Sequence, residues 1–207
     1  MMRARWADQK AHTLSVVPEV ERKVRGGNFL GMTRYVQALP PKERATLEAD
    51  LPPDFLENLQ RCKPFEYYPA DDQFTLVAAL ARLDGEDEHA AYRRLVEVGR
   101  NIAEESVQGF LRFLIKFLTP GLLARKFPDI WTKDNTFGSL SATLSGNSFF
   151  VVIDDVEGYL YVGALTTGII PHFLTQMGCA DVTCVERLHP PGTPQTGRRY
   201  EFDIAWR

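Results

Sequence analysis

The last ten residues, "RRYEFDIAWR", constrain the fold more than any other stretch. Tyr200, Phe202, Ile204 and Trp206 fall on one side of an extended chain, with Glu201, Asp203 and Arg207 on the other. A strand with one apolar side needs partner strands, and candidates lie upstream. In "FGSLSATLSGN", Leu140, Ala142 and Leu144 alternate with Ser139, Ser141, Thr143 and Ser145. Gly146-Asn147 turns this run into "SFFVVID", which is β-branched and aromatic, so the pair reads as a hairpin. "ADVTCVERL" is a third strand, joined to the last by the loop "HPPGTPQTG". Between the two pairs, Leu165, Ile169, Phe173 and Met177 recur every four residues in a helix closed by Gly178.

The pattern before about residue 136 is helical. Residues 1–22 are polar, carry Pro18 and hold no sustained period, so they read as an extension to a single domain over 23–207. Asn28 can cap a helix carrying Phe29, Leu30, Met32, Tyr35, Val36 and Leu39. Pro40-Pro41 stops it, and Pro41 opens the next helix, "PKERATLEADL"; "PPDFLENLQR" is another short one. After the extended "KPFEYYP", Asp71 or Asp72 caps a helix through Phe74, Val77, Ala78 and Ala81, closed by Gly85. The longest helical signal covers 89–118. It is amphipathic through Ala91, Leu95, Val98 and Ile102, then apolar on most sides from Val107 to Leu118. Gly99 and Gly109 each cost this helix about 1 kcal/mol against alanine, and close approach of another backbone explains both. "GLLARKFPDIW" adds a short helix before Pro128. The order predicts an α+β fold: a helical N-terminal half (23–135) packed on a four-stranded antiparallel sheet (136–207) built as hairpin, helix, hairpin.

Composition removes several function classes. A net charge of −3 disfavours a phosphate-tracking, nucleic-acid-binding surface. Three cysteines are too few for a disulfide framework, so reduced thiols are expected. The N-terminus has no apolar signal core. The most apolar window, "GFLRFLIKFL", is broken by Arg112 and Lys116 and is far shorter than the ~20 residues of a membrane span. A cytoplasmic protein is expected.

The fragments "KVRGGNFLGMTRYV", "EYYP", "GRNIAEESVQGFLRFL", "FPDIW" and "YEFDIAW" resemble, in this order, a paralogous family expanded in myxobacteria. That family is in turn similar to 4-vinyl-reductase-like ligand-binding domains and to the transport-particle (TRAPP) fold. The similarity runs from about Val24 to Arg207. It implies a plait with helices on one face of the sheet, homodimers through the long helix 89–118, and non-enzymatic small-molecule binding or signalling. A protein-interaction scaffold of transport-particle type is the alternative. The nitric-oxide-sensing haem domains are more distant relatives in fold. Their haem takes a proximal histidine and a Tyr-x-Ser-x-Arg cluster; this chain contains no such cluster, and haem is doubtful on that ground.

Tyr67 and Tyr68, beside Pro69, together with Phe110, Leu114 and Phe117 are the candidate walls of a pocket for a small apolar ligand. Plain packing, or a dimer seam at the helix, uses the same residues equally well. His172, Cys179 and Cys184 form the best metal candidate, but a structural zinc takes four ligands, so no cofactor is predicted. Some 4-vinyl-reductase-like domains hold zinc there with a carboxylate and three cysteines, and this chain has two of the three. His172 shares the helix's polar face with Gly168 and Gln176, while Cys184 points to the packed side of its strand. A nucleophilic Cys179 with His172 or His189 as base is the enzymatic alternative. Asp154, Asp155 and Glu157 could hold a hard cation or form a solvated turn. Arg100 and Glu104 have the spacing of an intrahelical ion pair.

Overall fold

The computed structural model describes residues 21–107, 115–156, 159, 161–189 and 197–207. The extension to residue 20 and the candidates Gly109, Phe110, Leu114 and Glu157 lie outside them.

The C-terminal half has the architecture read from its alternation. Strands β3 (Ser139–Ser145) and β4 (Ser148–Asp154) pair antiparallel across Gly146-Asn147, with Leu140 opposite Ile153 and Leu144 opposite Phe149. β5 (Thr183–Glu186) and β6 (Tyr200–Ala205) complete a sheet in the order β3-β4-β6-β5, antiparallel throughout. Phe149, Val151 and Ile153 of β4 share the covered face with Tyr200, Phe202 and Ile204 of β6, and all six are buried. Trp206 follows them on the period-two side and packs on Phe149 with ring centroids 4.7 Å apart.

The helical half contains α1 (Gly26–Ala38), α2 (Pro41–Asp50), α3 (Phe55–Gln60), α4 (Ala70–Arg82), α5 (Glu88–Ser106) and α6 (Pro120–Asp134). The remaining helix, α7 (Val162–Gln176), connects the two hairpins, and Gly178 follows it with φ +92° as its C-terminal stop. A short ladder of β1 (Lys23–Arg25) and β2 (Tyr67–Pro69) was not expected; it is three residues long on each side, too short for alternation to register.

Three local expectations are corrected. Helix α1 starts at Gly26 rather than after an Asn28 cap. Its first N–H groups donate to the turn before β2, Gly26 to the Glu66 carbonyl (2.9 Å) and Gly27 to that of Pro64 (3.1 Å), so no side-chain cap is needed. Helix α6 runs through Pro128 to Asp134. Pro128 is exposed and removes one N–H, while the buried Leu123, Ala124 and Phe127 hold the helix down and Thr119 caps its start. The long helix ends at Ser106, and only a 3-10 turn at Ile115–Phe117 is described after it, so 89–118 is not one uninterrupted helix.

Helix α5 is the centre of the molecule. It packs against α7, α1 and α4. The approach to α7 is backbone on backbone: a methyl group at Gly99 would overlap the Leu165 carbonyl, and one at Gly168 the Val96 carbonyl. Gly31 of α1 meets the Ile102 backbone of α5 in the same way. Close approach, expected for Gly99, is therefore what both helices are built around.

Candidate functional site

Two places in the described residues combine concavity or burial with polar chemistry, and both are carried by α5. The first is an open groove of about 490 Å³ between α1, the start of α2, the α4–α5 turn and α5. Arg94 lies in its wall. Its guanidinium donates to both carboxylate oxygens of Asp84 (2.7 and 3.0 Å) and to Glu43 Oε2 (2.8 Å), with the Tyr35 hydroxyl at 3.5 Å. The Arg94 side chain is 14% exposed and that of Asp84 16%, so the fork is screened far less than a surface pair. The hydrogen bonds that Arg94 donates to Asp84 hold it protonated, and burial raises the Tyr35 hydroxyl above its ordinary value. One side chain thus pins four segments of the helical half together. Sequence reasoning missed this cluster: Asp84 is ten residues from Arg94 and Glu43 fifty-one, and no local pattern joins them.

The second place is the seam under α5. Tyr92, 8% exposed, meets Thr167 of α7 at 3.1 Å between hydroxyl oxygens, and Thr167 donates to the Gly163 carbonyl (2.9 Å). Cys184 on β5 lies against the same threonine, and burial pushes its thiol up to about 12. His172 comes one turn after Gly168, so it lies on the face of α7 turned to α5, not on a solvent-facing polar stripe as expected. A glycine read as polar marks the closest helix contact. His172 Nε2 is buried with no hydrogen-bond partner among the described residues; burial lowers its basicity, with Glu104 raising it and Arg100 lowering it.

The other candidates are dispersed. His172, Cys179 and Cys184 form no cluster: among the described residues no group of three His, Cys, Asp or Glu could hold a metal. Cys179 follows Gly178 with its thiol raised by burial, the reverse of an activated nucleophile. His189 stacks on Tyr200 at 4.7 Å, its Nε2 3.1 Å from the Arg199 carbonyl. Tyr67 is 44% exposed and donates to the Lys133 carbonyl (2.6 Å), whereas Tyr68 packs edge-on against Phe29 at 6.0 Å. Phe117 is 69% exposed in its turn beside α7. Asp154 and Asp155 are occupied by Arg199 (3.1 Å) and Arg198 (2.6 Å). Arg100 pairs back to Glu97 (3.3 Å) rather than forward to Glu104. No described helix is long and apolar enough to cross a membrane.

No family model matches the sequence, and no curated protein matches it. Solved structures do match in fold. An Fe(II) unliganded H-NOX protein mutant from K. algicida superposes with a TM-score of 0.63 at 11% identity, covering 88% of this chain and 96% of that one. An H-NOX protein from S. oneidensis in the Fe(II)NO state gives 0.62 at 12%, with 88% and 99% covered. An oxygen-binding H-NOX domain related to soluble guanylate cyclases, in its oxygen complex, gives 0.54 at 13%, with 88% and 95% covered. These findings overturn the resemblance to the 4-vinyl-reductase-like and transport-particle families. They also overturn the ground on which haem was set aside: the iron-containing domains are not distant in fold but share it over most of the chain. The missing Tyr-x-Ser-x-Arg cluster misled because at 11–13% identity a fold outlasts its local motifs. The fold of this chain is the H-NOX fold.

Proposed function

We propose that this chain is a non-catalytic module that binds a small molecule and signals its presence, built on the H-NOX fold. The observation that carries the reading is the fold likeness over 88% of the chain to domains captured unliganded, with NO and with oxygen. Fold alone does not fix function, so the ligand has to be argued from this chain's own residues.

Haem is the first ligand the likeness puts to the test. Among the described residues its nitrogen ligand would be His89, His172 or His189. His89 is exposed at the start of α5, and His189 lies on Tyr200. His172 has the free buried nitrogen, but the α5–α7 seam one turn away is closed to backbone contact at Gly168. Aromatic rings also link the helices to the C-terminal half: Phe74 lies 3.8 Å from Tyr159, and Phe127 lies 5.9 Å from Phe149. Of the three described histidines, His172 is the one with a buried nitrogen and no hydrogen-bond partner among the described residues, so it is the residue that would hold a haem iron.

Signalling is supported by how α5 is built in. It meets both α1 and α7 through backbone, so a ligand that shifts α5 must shift its neighbours too. A homodimer belongs to the same reading. The buried residues of α5 are covered within one chain, which moves the proposed contact towards the exposed Phe117. The test is to titrate the full chain with haem, and separately with small apolar compounds, and to follow absorbance and thermal unfolding. A ligand at one hundred times its Kd adds about 2.7 kcal/mol, roughly 5–10 °C in Tm for a chain of this size. A rise of that order supports the reading; no rise and no absorbance change with any compound removes it.

A further inference from the structure

We propose that β3 is the seam of a homodimer, paired antiparallel with β3 of a second copy about a two-fold axis at Ala142. This names the contact of the proposed homodimer and rests on that homodimer alone, not on any ligand. The strand reads nearly the same in both directions: Ser139, Leu140, Ser141, Ala142, Thr143, Leu144, Ser145. Two antiparallel copies therefore set Leu140 against Leu144, Ser141 against Thr143, Ser139 against Ser145 and Ala142 against itself. That is the self-complementarity a two-fold interface requires.

The hydrogen bonding of the sheet leaves the outer edge of β3 open. Trp206 N–H donates to the Asn147 carbonyl (3.1 Å), so odd-numbered residues of β4 bond towards β6 and even-numbered ones towards β3. The β3 partners of the latter are Ser139, Ser141, Thr143 and Ser145. Leu140, Ala142 and Leu144 then turn N–H and carbonyl outward, where no strand among the described residues pairs with them. In the two-fold arrangement these same residues face one another, each pair exchanging two hydrogen bonds. The sheet's other edge is guarded and this one is not. β5 is four residues long and runs into Glu186 and Arg187, with Arg187 paired to Asp203. β3 is seven residues long and holds no charge and no proline. Helix α6 lies over the sheet's apolar face, with Phe127 on Phe149 of β4, yet Leu144 stays 41% exposed. Leu140 of a second copy would cover it. Gly121 of α6 lies against Leu144, so the edge begins close to the exposed Phe117.

Sedimentation equilibrium of the full chain, with no ligand added, tests the pairing; a dimer is expected. Ser141 and Thr143 are exposed on the face away from the helices, so both accept charged side chains without disturbing the core. Ser141→Lys with Thr143→Lys sets lysine against lysine across the seam and should raise the dimer dissociation constant roughly tenfold or more. Ser141→Lys with Thr143→Glu sets lysine against glutamate and should dimerise at least as well as the unsubstituted chain. Circular dichroism checks that both variants fold. Hydrogen exchange gives a readout without substitution: the amides of Leu140, Ala142 and Leu144 should be protected at high protein concentration and exchange faster on dilution. A monomer at every concentration, or equal association by the two variants, overturns the pairing while leaving ligand binding untouched. A dimer that retains and binds no small molecule leaves the pairing standing while the sensing reading fails.

Discussion

The two flanks of α5 are held by opposite means. Towards α7 it is glycine against carbonyl, with Gly99 on Leu165 and Gly168 on Val96, and no room for another atom. Towards α2 and the α4–α5 turn it is one arginine bridging two carboxylates across an open groove. Backbone contact makes the first flank stiff and intolerant of volume. A charged fork makes the second specific in geometry yet accessible to solvent and to ligands.

The comparison breaks most readily at the seam. Gly168→Ala or Gly99→Ala forces the helices apart, and either should cost about 3 kcal/mol or more, read as a lower urea midpoint at unchanged slope. Arg94→Leu comes next. It leaves Asp84 half-buried without its partner and should cost about 2 kcal/mol, with Arg94→Lys recovering part because one ammonium cannot satisfy both carboxylates at once. If Arg94→Leu costs more than Gly168→Ala, the assignment of stiff and adaptable flanks is reversed.

A smaller effect follows from His172. Its basicity is lowered in the fold by burial, so between its ordinary value of 6.5 and its lower folded value the unfolded chain binds the extra proton. Stability is therefore complete above about pH 6.5 and falls as the pH drops through that window. His172→Leu should flatten this acid slope in pH-dependent denaturation curves. A slope of unchanged steepness in the variant assigns it to other groups. The smallest effect is in thiol labelling near pH 8. Both side chains are partly exposed, but Cys184, its thiol pushed up to about 12, should label far more slowly than Cys179.

The sheet was legible residue by residue. The alternations at Leu140–Leu144 and Tyr200–Trp206, and the turn at Gly146-Asn147, depend on neighbours in sequence, and the sheet follows them. Helices were legible in kind but not in extent: Pro128 stopped α6 in the sequence reading and does not stop it in the fold, since burial of Phe127 outweighs one lost hydrogen bond. The groove was not legible, because Arg94, Asp84, Glu43 and Tyr35 come from four segments that only the fold brings together. The pairing of Gly168 with α5 escaped for a related reason. A helical wheel shows which face a glycine occupies, but not that a second helix's carbonyl needs the space.

Native mass spectrometry of the full chain, purified from cells supplied with haem precursor, tests the proposed sensing function most directly. One spectrum reports the subunit count and any retained molecule together. The expected result is a single non-covalent small molecule per chain, released on denaturation. A bare polypeptide mass under every loading condition, haem included, contradicts a ligand-sensing role for this H-NOX fold.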